Sequence, residues 1–568
     1  MLRHRHDRGD DEHRLLHRHR ACLRVSCFEA LVHVATESDC DPHRMGLEYG
    51  NRYETSSTAR SSRVLGLRSG GRRRRPVGVA ALALLGQAGI SAIGIERESS
   101  VWPQARAVHF DGETLRAFQA LGLGEQAMAR CKPMTDFRME NEARETLFSH
   151  PTGKLGTQAW HDDVMFHQPD MEVLLRSEVD RQTGVSLRSG TTLTDLEHIA
   201  DGVRCVVTDA EGSTETLTAR WVIAADGATS TVRRLLDVRT ESLGSDDPWL
   251  VVDGLLDGEP DISGDMVFLG HYSRPALWVR LPGKRVRMEF KVMPDDDPQE
   301  ITTAAAIERI SHGVLPSDRF TPDRAAIYTF RARVAERWRV GNVFLAGDAA
   351  HQAPPLFGQG LCAGMRDVAN LIWKLSLVSR GLADVDLLDT YESERRPHAH
   401  YWVEQAATMA GILQTTDRKT AEHRDAYVRA NPGASAPPSP ALGPGLHTAE
   451  LNDSAGRLSL QPRLSDGTRL DDLVGVRFLV AAPEDMIAGL SPQLQGALTS
   501  DGETVVLTDP ETFSDLLASV NGKAVVLRPD RYVLGVADTC EELGALLELV
   551  PTLKAALAPA VQTAPLPQ

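Results

Sequence analysis

The hydrophobic pattern changes period between Val343 and Leu375. Val343-Phe344-Leu345-Ala346 is an apolar run of the kind that makes a short buried strand, and it stops at Gly347-Asp348. A proline- and glycine-rich loop follows. Leu361, Met365, Val368, Ile372 and Leu375 then recur at spacings of four, three, four and three, one apolar stripe along a helix. Strand, carboxylate, glycine loop and helix start together form a cradle for a polyhydroxylated anion. Gly358 and Gly360 allow close backbone approach, the helix N-terminus offers free N–H groups, and Asp348 can accept hydrogen bonds from hydroxyls.

Upstream, residues 76–95 run for twenty positions without a charge, directly behind four arginines. Gly78, Gly86, Gln87, Gly89 and Ser91 interrupt that run and Glu96-Arg97-Glu98 closes it. The spacing predicts a helix over 77–88, a stop at Gly89 and a strand over 91–95, rather than a membrane span. This is the second half of a βαβ dinucleotide unit, with Glu96 placed to bind a ribose hydroxyl. The preceding 64–72 stretch, VLGLRSGGR, reads as a poor buried strand. A helix is expected over 170–181, and strands over 203–208 and 216–224 are expected to form a hairpin around Asp209-Ala210-Glu211-Gly212. From about 248 to 330 the β-like runs 249–255, 276–281, 286–292 and 326–330 alternate with Pro/Gly/Asp turns. They predict a sheet interposed in the nucleotide domain as the wall of a substrate cavity. Helical sequence then continues to about Ile412. Residues 431–444, NPGASAPPSPALGP, read as a linker, and a third domain begins near Asp453.

Composition narrows the classes. A chain of 568 residues accommodates two to four domains. A net charge of −16 argues against nucleic acid and against an anionic membrane surface as partners. Seven scattered cysteines, without CxxC or metal-ligand spacing, predict reduced thiols, a cytoplasmic location and no metal site. The first 75 residues stand apart, with 16 Arg, no Lys and seven His, among them His4, His6, His13, His17 and His19. They are expected to be atypical sequence, either unordered or a misassigned start. A glycine/alanine loop read out of frame would produce such an arginine run.

The string from Val343 to Leu375 resembles the GD segment of the class A FAD-dependent aromatic hydroxylases. Ala224-Ala225-Asp226-Gly227-Ala228-Thr229-Ser230-Thr231-Val232-Arg233 resembles their DG motif. The segment around Arg106-Ala107-Val108-His109 and the one around Phe166-His167-Gln168-Pro169 resemble the segments that supply a flavin-contacting arginine and glutamine. Strings such as Arg287-Met288-Glu289-Phe290-Lys291 and Leu527-Arg528-Pro529-Asp530-Arg531-Tyr532 are most similar to the 3-(3-hydroxyphenyl)propionate hydroxylases. One departure is clear: Arg73 and Arg75 stand where the family's Gly-x-Gly-Pro-x-Gly has its first two glycines. Cys362 stands where Asn is frequent.

The resemblance implies an α/β fold: a Rossmann-like FAD-binding domain of the glutathione-reductase type, an interposed β-sheet substrate domain and a thioredoxin-like C-terminal domain lacking CxxC. The implied domains are 76–247 and 336–430 for FAD, 248–335 for substrate, 431–452 as linker and 453–568 at the C-terminus. It implies FAD bound by Gly78, Glu96, Arg97, Arg106, Gln168, Asp226, Gly227, Gly347, Asp348, Pro355, Gly358, Gly360, Leu361 and Cys362. NADH or NADPH is the transient co-substrate and O2 the oxidant. A phenol is hydroxylated ortho to its hydroxyl through a flavin C4a-hydroperoxide. The substrate is 3-(3-hydroxyphenyl)propionate or a similar small phenol of aromatic catabolism, and a homo-oligomer is compatible with the family. His351 and Pro355 are the candidates beside the reacting ring, and no base is named. The alternatives are a hydroxylase of larger polyketide-like aromatics and a cofactor-free pseudoenzyme with a disrupted glycine loop.

Overall fold

The sheet that positions the site is built from strands gathered between Val64 and Leu345. In the computed structural model, residues 64–68, 76–259, 262–311, 319–355, 358–431, 438–447 and 452–557 are described. Apart from Ala430 and Asn431 they belong to one unit, formed by 61–429 with 438–568. Its six-stranded sheet runs in the order Arg339–Val340, Val343–Leu345, Trp221–Ala224, Val64–Arg68, Ala92–Glu96, Val185–Ser189. All neighbours are parallel except the Arg339–Val340 edge strand. Such a sheet, covered on both faces, requires near-continuous apolar strands. Trp221–Ala224 and Val343–Leu345 are buried at every position.

One expectation is overturned here. Residues 64–68 are a central strand, pairing with Trp221–Ala224 on one side and Ala92–Glu96 on the other. Val64 and Leu65 are buried, and Gly66 lies against Gly94, where a Cβ would come within 3.9 Å of the Gly94 Cα. Glycine weakens an isolated strand, but here Gly66 is held by pairing on both sides, and opposite it Gly94 makes room for Leu82 and Leu187. The arginine run and the two positions that replace family glycines lie outside the described residues, as does the histidine-rich N-terminus. The helix after it is Pro76–Gln87 and the next strand Ala92–Glu96, as the spacing predicted. That helix is buried along nearly its whole length, which explains why it has no polar face. Among the described residues no helix is long and apolar enough to cross a membrane, and no group of side chains could hold a metal.

The expected strand over 216–224 is two strands. Thr214–Ala219 pairs with Gly202–Thr208 as the predicted hairpin, whereas Trp221–Ala224 leaves it at Arg220 and enters the parallel sheet.

The interposed sheet has seven strands, with Phe320–Phe330, Asp247–Leu256, Arg285–Lys291, Ala276–Arg280 and Met266–Leu269 followed by Asp136–Glu140 and Thr146–Pro151. Its Arg285–Lys291 strand reads R-V-R-M-E-F-K, a strict period of two. Val286, Met288 and Phe290 join an apolar core with Leu250, Val252 and Trp278. Arg287 and Glu289 face the other way and are nevertheless buried. A C-terminal four-stranded sheet, in the order Thr504–Leu507, Phe478–Ala481, Ala524–Leu527, Val533–Ala537, completes the unit.

Candidate active site

Two acid–glycine pairs leave the nucleotide sheet at the same edge. Trp221–Ala224 and Val343–Leu345 are in parallel register, and the Ala346 N–H extends the ladder to the Ala224 carbonyl at 2.9 Å. Their carboxyl ends release Asp226-Gly227 and Gly347-Asp348 side by side, where open α/β sheets bind ligands. Gly227 (φ +85°) and Gly347 (φ +57°) both adopt left-handed backbone. A Cβ on Gly227 would meet nothing within 4 Å, so that turn borders open space. Asp226 is buried. Its Oδ2 accepts the N–H groups of Thr231 and Val232 at 2.7 and 3.1 Å, while its Oδ1 is buried and has no hydrogen-bond partner among the described residues. Burial raises its pKa, against those bonds.

Behind the Gly347 turn sits a carboxylate that no sequence motif pointed to. Asp367, on the Gln359–Ser379 helix, accepts the Gly347 N–H at 2.9 Å, His351 Nε2 at 2.8 Å, and Arg395 Nε and Nη2 at 3.1 Å each. Burial works to raise its pKa, but His351, Arg395 and the Gly347 N–H together hold it below the usual carboxylate value. His351 is buried, stacks on Trp338 at 5.4 Å and points at Asp367. It props the turn from within. Asp348 is buried in the single 3-10 turn that follows.

Gly358 (φ +64°) caps the Gln359–Ser379 helix, and a Cβ there would lie 2.1 Å from His109 Nδ1. His109 Nε2 is in turn 2.7 Å from Asp163 Oδ1. At Gly360 a Cβ would meet nothing within 4 Å among the described residues. Leu361 is half-buried, and Cys362 is wholly buried with its Sγ 3.5 Å from the Gly358 carbonyl. Burial drives the Cys362 thiol pKa up, which keeps it protonated and unreactive. Gly364 lets this helix press on Val77 of the Pro76–Gln87 helix and on Gly347 itself. Gly78 is buried in the first turn of that second helix, while Glu96 ends its own strand with Oε1 accepting the Glu98 N–H at 3.1 Å. Arg97 pairs with Glu98 at 3.3 Å.

Arg106 and Gln168 are brought together. Gln168 Oε1 accepts the N–H groups of Arg106 and Ala107, both at 3.0 Å. The carbonyls of the same segment are held from the opposite side by the interposed sheet: Arg287 donates to Ala105 O at 2.6 Å and Arg106 O at 2.5 Å, and Arg324 to Ala105 O at 2.9 Å. Asp253 accepts from Arg287 Nε at 2.7 Å and from Arg324 at 3.2 Å. The Arg106 guanidinium lies over the Tyr328 ring at 5.2 Å. The charged face of the Arg285–Lys291 strand is therefore buried because it clamps the Arg106 segment.

Next to this clamp lies a small cavity of about 10 Å³. Pro354 and Pro355 of the GD loop form one wall, Ala410 and Gln414 another, and the sheet supplies Trp249, Phe268, Leu277, Phe330, Asp247 and Glu289. Trp249 Nε1 donates to Gln414 Oε1 at 3.0 Å, and Gln414 Nε2 to Asp247 Oδ2 at 3.1 Å. Burial, reinforced by Asp253, pushes the Glu289 carboxyl up to about 7, against the pull of Arg287 and Arg324. Asp253, Arg287, Glu289, Arg324 and Asp367 were not identified from sequence. The alternation R-V-R-M-E-F-K was the available signal for a polar strand face, but nothing local showed that the face is covered.

Similarity to known proteins agrees with this geometry. Residues 75–406 match the family model described as FAD binding domain. The chain belongs to the FAD-binding class A flavin hydroxylases. It is 31% identical over 520 residues to a probable NADH-specific resorcinol 4-hydroxylase of Rhodococcus jostii (strain RHA1), spanning 87% of this chain and 95% of that protein. It is 35% identical over 423 residues to a 3-(3-hydroxy-phenyl)propionate/3-hydroxycinnamic acid hydroxylase of Burkholderia cenocepacia (strain HI2424), spanning 71% and 77%. In fold it is similar to the flavin-dependent monooxygenase PieE, with a TM-score of 0.73, 21% identity and coverage of 88% and 99%. This hydroxylase is thus an FAD-dependent aromatic monooxygenase that draws electrons from NAD(P)H.

Proposed function

We propose that this hydroxylase uses NAD(P)H and O2 to hydroxylate a small phenol ortho to its hydroxyl group. The observation that carries the reading is the set of aromatic and apolar side chains Trp249, Phe268, Leu277 and Phe330 gathered on the interposed sheet opposite Pro354-Pro355, a lining suited to an aromatic ring. Resorcinol and 3-(3-hydroxyphenyl)propionate, substrates named for the two relatives, are the compounds of this class to try first.

The residues present fit FAD. Gly227 borders open space, a Cβ at Gly360 would meet nothing within 4 Å among the described residues, Gly347 and Gly358 take the backbone that only glycine adopts without strain, and the buried Asp226 Oδ1 lacks a donor. Asp348, Asp226-Gly227, Gly358 to Cys362, Gly78, Glu96, Arg97, Arg106, Gln168 and Pro355 would hold it, and bound FAD reduced by NAD(P)H supplies the activation of O2. The chain's own part is positional. Arg287, Arg324 and Gln168 fix the Arg106 segment through its backbone, Asp367 fixes the Gly347 turn, and the apolar walls exclude water. The C-terminal sheet reads as the thioredoxin-like domain, in a structural role.

The protein purified with added FAD is expected to show flavin absorption bands. It is further expected to oxidise NAD(P)H faster when a small phenol is added, with a hydroxylated product. No retained flavin, or a response equally flat across all small phenols, would overturn the reading.

A further inference from the structure

Two glycines bracket the start of the Gln359–Ser379 helix. Gly358 and Gly360 have no side chains with which to fix the backbone, so the anchor of this turn is Gln359 between them. Gln359 is buried, and its Oε1 accepts Arg366 Nη1 at 2.7 Å from two turns further along the same helix. Arg366 is itself buried between two carboxylates. Its Nη2 donates to Asp111 Oδ2 and its Nε to Glu113 Oε2. Asp111 also caps the Gly112–Ala120 helix by accepting the Thr114 N–H at 2.9 Å, and it stands two residues beyond His109, the side chain against which Gly358 closes. The other oxygen of Glu113 is satisfied from the C-terminal sheet. Tyr532 donates its hydroxyl to Glu113 Oε1 at 2.8 Å, across 419 positions of sequence. Tyr532 is buried where the Ala524–Leu527 strand returns as Val533–Ala537, with its ring edge-on to His398 at 6.2 Å.

Resting on the assignment of Gly358 to Cys362 to FAD, we infer that Tyr532 is a positioning residue for the cofactor: acting through Glu113 and Arg366 it fixes Gln359, and with it the first turn of the helix that receives FAD. The guanidinium is a planar fork whose donors meet Glu113, Asp111 and Gln359 at set angles, so a shift of any one acceptor turns the fork for the others. Every member is largely shielded from water, where such bonds are strong and reinforce one another. Without the tyrosine hydroxyl the Glu113 carboxylate is held on one side alone. It then swings on Arg366, and the bond from Arg366 to Gln359 is the link that gives. The C-terminal sheet therefore contributes to cofactor affinity as well as to stability. Other contacts along the same seam bypass this path: Arg469 stacks on the Trp160 ring at 3.5 Å and pairs with Glu125 at 2.7 Å.

The test reads FAD affinity, by flavin fluorescence on serial dilution of the FAD-loaded protein. Tyr532→Phe removes one hydroxyl and should raise the Kd for FAD about tenfold, while kcat for NADH oxidation at saturating FAD stays at the wild-type value. Arg366→Lys keeps the charge but loses the fork, and should weaken FAD at least as much. Because the two residues act in series, the double variant should bind FAD no more weakly than Arg366→Lys alone. Arg469→Ala loosens the same seam away from this path, so it should lose stability in denaturant unfolding and keep the wild-type Kd for FAD. An unaltered Kd in Tyr532→Phe overturns the inference. So does an equal loss of affinity in Arg469→Ala, which would make the effect one of general docking, and so do additive losses in the double variant. If Arg366→Lys does not fold, the comparison of Tyr532→Phe with Arg469→Ala still decides. A wild type that retains no FAD removes the cofactor assignment itself, a result distinct from a wild type that binds FAD and a Tyr532→Phe variant that binds it equally well.

Discussion

Two buried glutamates in this molecule have been pushed in opposite directions. Glu394 sits between the GD helix and the C-terminal sheet, where it accepts from Arg528 at 2.9 and 2.8 Å, Lys374 at 2.6 Å, Asn370 at 2.9 Å and the Leu446 N–H at 3.0 Å. Burial would raise its pKa, but Arg528 and Lys374 outweigh burial and hold it well below the carboxylate range. Glu289 is as deeply enclosed, yet its nearest cation, Arg287 Nη1, stands 3.7 Å away, and burial reinforced by Asp253 raises its pKa to about 7. The first carboxylate is saturated and fastens two parts of the fold. The second has no such set of close cationic donors among the described residues. Burial is the same in both; the number of donors decides.

The comparison predicts opposite signs for matched substitutions. Glu394→Ala leaves buried Lys374 without its carboxylate and Arg528 with Asp530 alone, and should cost about 3–5 kcal/mol in denaturant unfolding of the FAD-loaded protein. Because the Glu394 pKa is depressed in the folded state, its contribution is complete above the ordinary glutamate value and fades as pH falls below it. Glu289→Gln should instead stabilise the protein by up to about 3 kcal/mol at pH 8. There the sign is reversed: a pKa raised on folding makes the wild type lose stability as pH climbs from the ordinary glutamate value through about 7, and the amide escapes that loss. A third carboxylate sharpens the contrast. Asp367→Asn keeps an acceptor for Gly347 but removes the charge facing His351 and Arg395, so a loss of about 2 kcal/mol is expected, with weaker FAD retention by flavin fluorescence. The smallest effect belongs to Cys362, whose buried thiol should resist alkylation at pH 8 in the folded protein and react only after unfolding.

Much of the cofactor side was legible because its signals are local. The Val343–Leu345 strand, the Asp226-Gly227 and Gly347-Asp348 turns, the stripe on the Gln359–Ser379 helix and the Pro76–Gln87 helix each announce themselves within twenty or so residues. Residues 64–68 misled because the short run with Gly66 looks weak by itself, while the pairing that makes it a central strand comes from distant residues 92–96 and 221–224. The contacts of the interposed sheet were not legible for a different reason. Arg287 reaches the carbonyls of Ala105 and Arg106 across more than 180 positions of sequence, and Glu394 reaches Arg528 across 134. Alternation on the Arg285–Lys291 strand shows which residues share a face, but only the fold shows that this face is buried and which of its charges are already spent.

The most direct test is a crystal structure of the FAD-loaded hydroxylase with resorcinol. The account places the flavin against the Asp226-Gly227 and Gly347-Asp348 turns, with the substrate ring on the side of Pro354-Pro355 and the apolar side chains Trp249, Phe268, Leu277 and Phe330. A ring bound elsewhere, or a flavin that leaves those two turns uncovered, would contradict it.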